Sequence, residues 1–370
     1  MNENRIKWLD VARSLAIISI TTNHALNHSF AMYNDQLAEF NQLPMILMVI
    51  KAMINAFSRF GVPFFLMISG TLLLPKDYEK EGAISRFLKH NWLQLLITTE
   101  IWLAIMFWYK QILPGSILET LGLKSCLMHF VLNALFINQI TFESMWYMPM
   151  ILCVYLMIPI LSMALKKINN KYFIIPICIV VFCSMVLTDV NGFLAGLGTD
   201  RVLETKLESA NVFSMYVVYL LIGYFISQKG LLSKFRTWQL TLLLCISFIA
   251  FTAFQFWFFT REYDFVVGNK YRSVFTCLIS VFSFELIRRM RVSEWLANIT
   301  SKLARISFGI YFVHICIVYA VLALFEHFSW SVPKLAMCLI LETVSFFGSI
   351  LIISILKKSK FLAKNLFVIK

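Results

Sequence analysis

Apolar stretches of membrane-spanning length recur ten times along the 370-residue chain, and they exclude most other folds. A helix needs about 20 residues to cross the hydrocarbon core, because it rises about 1.5 Å per residue. Hydrophobic residues make up 59% of the chain and charged residues only 14%, whereas about 25% of a soluble domain is charged. We therefore predict an all-α integral membrane protein with about ten transmembrane helices. The stretches are 9–30, 45–74, 88–110, 144–165, 172–188, 211–228, 238–260, 268–287, 305–325 and 335–356.

Two other features bear on domain organisation. Segment 116–138 is apolar but interrupted by polar residues, so we predict that it lies at the interface or re-enters the membrane without crossing it. No polar stretch is long enough for a separate soluble domain, and residues 1–370 are predicted to form a single membrane-embedded domain. The N-terminal apolar run lacks a small-residue cleavage site, so 9–30 is predicted to remain as the first span.

The basic residues are distributed unequally between the two sides of the membrane. Segments on one side hold 22 of the 33 lysines and arginines, and loops on the other side hold seven. Because cytoplasmic loops are enriched in these residues, both termini are predicted to be cytoplasmic. The net charge of +13 thus reflects topology, and the spread over short membrane-flanking segments argues against nucleic-acid binding. A basic cytoplasmic face also attracts anionic lipid headgroups and cofactors.

Ionisable side chains within the first stretch indicate a functional helix face. Each such group costs about 2.5–3.5 kcal/mol at mid-membrane, so it needs a partner or a function. Arg13 and His24 are eleven residues apart, which is about 20° from three full turns and puts them on one face. Asp10 lies one turn before Arg13, within reach of an ion pair. This stripe is predicted to line a cavity that crosses the bilayer; the alternative is an Asp10–Arg13 pair that only anchors the helix.

The second stretch carries a cation at a similar predicted depth. His24 lies about 24 Å along the helix from Trp8, and Arg59 about 22 Å back from Leu74. Both are still within a hydrocarbon core of about 30 Å. We therefore expect an imidazole and a guanidinium at the same level of the membrane, nearer its outer side.

Other cations are predicted closer to the membrane surfaces. Arg86 and Lys89 follow the second stretch on the cytoplasmic side and form, with Arg13, a lower level of positive charge. Lys51 and Arg272 lie near the outer ends of their stretches, where they are predicted to snorkel towards water.

Five segments, in order and spacing, resemble the motifs of one family. They are LDVARSLAIISITTNH, FGVPFFLMISGTLLL, the basic SRFLKHNW, MWYMPMILCVYLMIPIL and ISFGIYFVH. Together they cover nearly the whole chain and are similar to those of the acyltransferase-3 family of multi-pass bacterial membrane proteins. The basic segment of that family is richer in arginine than the one found here.

This resemblance implies an O-acyltransferase of the bacterial cytoplasmic (inner) membrane. It implies transfer of an acyl group, usually acetyl, from cytoplasmic acyl-CoA to a hydroxyl of an extracytoplasmic glycan. The acceptor would be a surface polysaccharide or a lipid-linked sugar. Acetyl-CoA is the expected donor, and succinyl transfer stays open within the same enzyme class.

The resemblance also suggests roles for the first helix and the cytoplasmic cations. His24 is expected to act as general base or acyl carrier, with Arg13 and Asp10 as further catalytic residues. Arg13, Arg86 and Lys89 are expected to bind the donor phosphates, because basic side chains hold phosphate strongly.

Acceptor binding is assigned to residues at the outer side. Arg59 could stabilise an oxyanion or bind an anionic acceptor. Glu143 could hold acceptor hydroxyls, and Trp146 could stack on a sugar ring, although aromatic residues are common at membrane interfaces. His314 joins this substrate-binding set through the last motif only, since a lone histidine in a span is often a buried hydrogen-bonding group.

Other functional classes fit less well. A proton-coupled transporter or flippase of a glycan precursor suits titratable groups in many spans, but the sequence shows no repeat between its halves. A receptor or scaffold does not explain the alignment of Arg13 with His24. The histidines show no metal-ligand spacing and the eight cysteines no CxxC pair, so neither a metal site nor a disulfide framework is predicted. Self-association is left open.

Overall fold

Every element of the described structure is helical, which confirms the all-α prediction for that part of the chain. The computed structural model describes residues 6–30, 43–112, 116–137, 143–199, 203, 214–259 and 271–369, without the side chains of Glu143 and Phe259. Its α-helices are α1 (Lys7–Ser29), α2 (Met45–Ser58), α3 (Gly61–Leu73), α4 (Ala83–Phe87), α5 (Leu93–Gln111), α6 (Ile117–Ala134), α7 (Tyr147–Lys167), α8 (Lys171–Val181), α9 (Leu187–Gly196), α10 (Met215–Lys229), α11 (Thr237–Phe259), α12 (Val274–Arg289), α13 (Glu294–His327), α14 (Lys334–Leu356) and α15 (Lys360–Phe367). The π-helical turns Leu88–Trp92 and Phe182–Val186 join α4 to α5 and α8 to α9, and the 3₁₀ turn Glu143–Trp146 precedes α7.

Seven stretches of the described chain are long and apolar enough to cross a membrane. The protein is therefore a multi-pass membrane protein. The other three predicted stretches are also helical, over α1, α10 and α12. The count of ten spans and the cytoplasmic termini stay predictions. The seven are Met45–Leu73, Ala83–Gln111, Ser144–Lys167, Lys171–Gly196, Thr237–Phe258, Glu294–His327 and Lys334–Leu356.

The helix α6 (Ile117–Ala134) covers most of segment 116–138 and is kinked near its start. Gly122 has φ 75° and ψ 174°, a conformation that glycine adopts without steric cost. Most α6 side chains are exposed, and α6 is not among the seven stretches. Its interfacial or re-entrant location stays a prediction.

The chain divides into two compact units, each assembled from three stretches of sequence. The first unit comprises Met1–Lys76, Ala164–Ala304 and Pro333–Glu342. The second unit comprises Asp77–Met163, Arg305–Val332 and Thr343–Lys370. The predicted single domain over 1–370 stays a prediction.

In the first unit α3 and α10 cross with their backbones in contact. A Cβ added to Gly70 would lie 1.9 Å from the carbonyl oxygen of Leu220, and one added to Gly223 would lie 2.2 Å from that of Met67. Only glycine fits at either position, as at other small-residue crossings between membrane helices. Thr71 Oγ1 adds a hydrogen bond of 3.1 Å to the carbonyl oxygen of Gly223.

The C-terminal end of α12 is held by a buried ion-pair cluster in the same unit. The Glu285 side chain is fully buried and accepts from Arg288 Nε at 2.7 Å and Arg289 Nε at 2.6 Å. Arg289 also donates to the carbonyl oxygens of Phe235 and Leu232, both at 2.7 Å. Through Arg289, the Glu285 carboxylate thereby fixes the turn before α11.

In the second unit α15 packs against α5. Trp102 Nε1 donates to the carbonyl oxygen of Leu366 at 2.7 Å, and its ring stacks on Phe312 with centroids 5.0 Å apart. Gln94 Nε2 donates to the carbonyl oxygen of Lys364 at 3.2 Å. The Trp102 bond satisfies the carbonyl group of Leu366 in the last turn of α15, where carbonyl groups lack partners within the helix.

Candidate active site

Arg13 and His24 are among the nine partly accessible residues of α1, and the other 14 of its 23 residues are buried. Ile17 and Ile20 lie between them on the same face, and both are buried. The predicted stripe therefore has two accessible ends separated by a closed apolar middle. The expectation of a cavity along the whole stripe is wrong for this middle, because the apolar side chains between the polar ends pack into the protein.

Near its N-terminus α1 is held against other helices of the first unit. The Asp10 side chain is buried. Ser14 Oγ lies within hydrogen-bond distance of the carbonyl oxygens of Asp10, at 2.8 Å, and of Thr300, at 3.2 Å. The Trp8 ring meets the ring of Phe284 edge to face, with centroids 5.3 Å apart. These contacts hold in place the helical turn that carries the predicted lower end of the stripe.

The helix break between α2 and α3 positions Arg59. Ser19 of α1 bridges this break, since its Oγ donates to the carbonyl oxygen of Ser58 at 2.9 Å and accepts from the Gly61 amide at 3.0 Å. A Cβ on Gly61 would lie 2.7 Å from the carbonyl oxygen of Ala16. The glycine thus lets α1 approach closely enough for one hydroxyl to satisfy both backbone groups at the break.

A second bond between α1 and α2 lies beside His24. Asn23 Nδ2 donates to Ser58 Oγ at 3.0 Å, and Asn23 Oδ1 accepts from Asn27 Nδ2 at 3.2 Å. His24 and Arg59 each directly follow one residue of the Asn23–Ser58 pair. Their backbones are consequently at the same level of the first unit, in agreement with the similar depths expected from the sequence.

Arg59 is held by a chain of buried amide side chains. Its Nε donates to Asn55 Oδ1 at 3.0 Å, and Asn55 Nδ2 donates to Gln255 Oε1 of α11 at 2.6 Å. The Arg59 side chain also forms a hydrogen bond with the Tyr271 hydroxyl. The sequence does not indicate a role for Asn55 or Gln255, because the predicted site rests on ionisable groups and both residues are neutral amides.

Lys51 does not snorkel as predicted. Its residue exposure is 1%, because the face of α2 that it shares with Asn55 packs inside the first unit. Arg272, for which the same behaviour was predicted, is exposed.

A further carboxyl group contacts α1 one turn before His24. Thr21 Oγ1 donates to Glu342 Oε1 of α14 at 2.9 Å. The sequence shows Glu342 as an ionisable group within a span but does not show which helix it meets.

The remaining predicted site residues belong to the second unit. Arg86 on α4 and Lys89 in the π-helical turn are both exposed. Exposed cations on a short helix can contact an anionic ligand without further desolvation. The Glu143 side chain lies outside the described residues, so its predicted role stays a prediction.

Aromatic rings surround the start of α7 in this unit. The Trp146 ring lies 6.1 Å from that of Tyr147, which lies 5.7 Å from that of Tyr311. The Tyr311 hydroxyl donates to the carbonyl oxygen of Ser144. The start of α7 is thereby tied to α13, and Trp146 is partly accessible beside this pair.

His314 is fully buried on α13, and its ring lies 6.4 Å from that of Tyr311. Its Nδ1 is 2.8 Å from the carbonyl oxygen of Ile310. A carbonyl oxygen can only accept, so Nδ1 carries the proton in this arrangement. The imidazole orientation is therefore set by its own helix, and contact with a substrate stays a prediction.

A family model described as an acyltransferase domain, that of the acyltransferase-3 family, matches residues 6–357. The chain belongs to the acyltransferase-3 family. This membership confirms the resemblance seen in the sequence and makes the chain a membrane acyltransferase, which acts on an acyl donor and an acceptor. No curated protein and no solved structure matches the chain.

The five motifs of this acyltransferase-3 protein occupy defined places in the fold. The first lies on α1, the second opens α3 directly after Arg59, and the third covers α4 and the π-helical turn. The fourth starts α7, and the fifth lies within α13. The first two belong to the first unit and the last three to the second unit.

Proposed function

We propose that this acyltransferase moves an acyl group, expected to be acetyl, from cytoplasmic acyl-CoA to a hydroxyl of an extracytoplasmic glycan or lipid-linked sugar. Its location would be the bacterial inner membrane. Family membership supports an acyl donor and an acceptor, and the basic segments predicted to face the cytoplasm support an anionic donor on that side. The partly accessible His24, in a helix that is otherwise mostly buried, supports a site on α1.

In the proposed reaction His24 moves one proton. A neutral imidazole removes the proton of the acceptor hydroxyl as its oxygen attacks the thioester carbonyl carbon. The C–S bond then breaks, and the imidazolium returns the proton to the sulfur of the leaving CoA. In the covalent variant the imidazole itself attacks, and the acyl group passes from His24 to the hydroxyl in a second step. General-base assistance is typically worth about 10²–10⁴-fold in rate.

Arg59 is proposed to stabilise negative charge near the reacting carbonyl. The observation that carries this proposal is the Asn23–Ser58 hydrogen bond of 3.0 Å, because His24 and Arg59 directly follow these two residues. A fixed cation in a low-dielectric site stabilises the oxyanion of a tetrahedral intermediate more strongly than water does. Binding of an anionic acceptor would use the same guanidinium.

The donor contacts are proposed from charge, and the acceptor contacts from the sequence motifs. Arg13, Arg86 and Lys89 would bind the donor phosphates, and Asp10 would fix the end of α1 that carries Arg13. The acceptor sugar would contact Glu143, Trp146 and His314.

The decisive experiment compares His24→Ala with His28→Ala, one turn further along α1. Cells lacking the native protein would express each variant at matched levels, and mass spectrometry of surface glycans would measure the added acyl mass. Membranes supplied with labelled acetyl-CoA or succinyl-CoA would identify the donor. Size-exclusion chromatography in detergent would show that both variants fold.

We expect His24→Ala to lower acylation at least 100-fold and His28→Ala to leave it within about twofold of wild type. Full activity of a folded His24→Ala variant would assign His24 a structural role and refute the mechanism. Absence of transfer by the wild-type protein with every donor would refute the proposed reaction.

A further inference from the structure

The hydrogen-bonded series Arg59–Asn55–Gln255 has one allowed donor-to-acceptor direction, which is determined at both of its ends. The guanidinium can only donate, so the oxygen of the Asn55 amide must face it. The Asn55 NH₂ group then points to Gln255 Oε1, and the Gln255 NH₂ group donates to the carbonyl oxygens of Ala52 and Phe251, both at 3.3 Å. Carbonyl oxygens can only accept, so each amide has one allowed orientation.

Because these residues are buried, reversing the direction of their hydrogen bonds would cost free energy. Asn55 and Gln255 have 0% exposure, and Arg59 has 4%. A buried amide that turned by 180° would present NH₂ to the guanidinium and oxygen to a carbonyl, and each reversed contact would leave polar groups unsatisfied. This hydrogen-bonded series therefore holds the Arg59 guanidinium in one orientation.

From this geometry we infer that Gln255 is a positioning residue for acyl transfer, acting through Asn55 on the direction of the Arg59 guanidinium. The inference rests on the proposed function of Arg59 as a stabiliser of negative charge at the reacting carbonyl. Gln255 itself lies on α11, which carries no residue of the predicted site. Its contribution would be preorganisation, because a charge that must reorient during the reaction stabilises the transition state less.

Further hydrogen bonds connect Asn55, which holds the Arg59 guanidinium, to Asn23, the neighbour of His24. Ser58 Oγ, which accepts from Asn23, donates to the backbone oxygen of Asn55 at 3.0 Å. Asn55 thus accepts one hydrogen bond from the guanidinium at its side-chain oxygen and another from the Ser58 hydroxyl at its backbone oxygen. Loss of Gln255 removes the acceptor of the Asn55 NH₂ group and leaves the Asn55 amide held by Arg59 alone, while the Asn23–Ser58 bond remains.

The test is a double-mutant cycle with Gln255→Met and Arg59→Lys. Methionine has a similar size and removes both hydrogen-bonding functions; lysine keeps the charge but loses the planar fork. Glycan acylation would be measured by mass spectrometry at matched expression. Ser247→Ala is the matched control, because Ser247 is also buried on α11 and its hydroxyl bonds the carbonyl oxygen of Leu243 at 2.7 Å.

We expect Gln255→Met to lower acylation about 10- to 100-fold in the wild-type background, the usual effect of a misplaced catalytic group. In the Arg59→Lys background the same change should cost less than about twofold, since the two act as a unit. Ser247→Ala should stay near wild type. Equal losses in both backgrounds, or no loss in the wild-type background, would overturn the inference.

Two further arms separate this inference from the proposed function. Thermal unfolding of the four proteins of the cycle measures the coupling between Gln255 and Arg59 without any acyl transfer; additive stability changes would overturn the inference even if the reaction itself is not found. If Arg59→Lys alone keeps full activity, a directed guanidinium is not needed and the inference fails, whereas full activity of a folded Arg59→Ala variant would refute the proposed role of Arg59 itself. Should Gln255→Met not fold, Asn55→Ser replaces it in the cycle and breaks the same chain with a smaller change.

Discussion

Asn23 on α1 donates a 3.0 Å hydrogen bond to Ser58 at the end of α2, and these two residues directly precede His24 and Arg59. The same Ser58 Oγ donates to the backbone oxygen of Asn55 at 3.0 Å. One hydroxyl therefore joins the helix of the proposed base to the helix of the proposed oxyanion-stabilising cation.

Ser58→Ala should weaken both folding and acyl transfer. The buried Asn23 amide loses its acceptor, which costs about 1–3 kcal/mol of unfolding free energy. We expect acylation to fall about 10-fold or more, because small displacements of catalytic groups are costly. Thermal unfolding and glycan mass spectrometry measure the two effects. Ser280→Ala is the control, since Ser280 is equally buried but bonds the carbonyl oxygen of Thr276 in its own helix; equal effects of both variants would contradict the prediction.

Arg86→Ala and Lys89→Ala should raise the acyl-CoA concentration needed for half-maximal transfer. Both side chains are exposed, so their loss should leave the fold intact. A hydrogen bond to a charged group is worth about 1.5–3 kcal/mol, equivalent to roughly 10-fold or more in KM. Initial rates in membranes at varied acyl-CoA give KM and kcat separately. Lys80→Ala, on the same predicted cytoplasmic side and also exposed, is the matched control; an unchanged KM in both site variants would remove them from the donor site.

The sequence predicts the helices well and the contacts between them poorly, and the site residues on α1 stay a prediction. Apolar length and the Arg13–His24 spacing depend on local periodicity, so α1 and its shared face could be predicted. Gln255 is 200 residues from Asn55 in sequence, and nothing local indicates that their amides meet. The prediction that Lys51 snorkels is wrong for the same reason, since its burial depends on which helix covers that face of α2.

Glu285→Gln should destabilise the first unit strongly. The Glu285 side chain is fully buried between Arg288 and Arg289, and removing one member of a buried ion pair costs about 3–5 kcal/mol. Thermal unfolding in detergent measures the change. Glu294→Gln is the control, because its pair with Lys7 is exposed and such pairs contribute about 0–1 kcal/mol. Similar losses in both variants would contradict the structural role of the buried cluster.

Tyr78→Phe should reduce the loss of stability at alkaline pH. Tyr78 lies between α3 and α4 in the sequence, is buried against Phe87, and its hydroxyl has no hydrogen-bond partner within the described part of the chain. Burial, with a smaller contribution from Tyr155, raises the pKa of Tyr78 from 10.0 to about 12. The unfolded chain therefore releases this proton first, so the stabilising contribution is complete below about pH 10 and is lost as the pH rises through 12.

Thermal unfolding of wild type and Tyr78→Phe at about pH 8 and about pH 11 tests this expectation. The variant should be at least as stable at the lower pH, because phenylalanine keeps the ring and removes an unsatisfied buried hydroxyl. Between the two pH values it should lose less stability than wild type. Tyr172→Phe, at an exposed tyrosine, should behave like wild type throughout. A Tyr78→Phe variant with the same pH dependence as wild type would show that Tyr78 titrates normally in the folded protein.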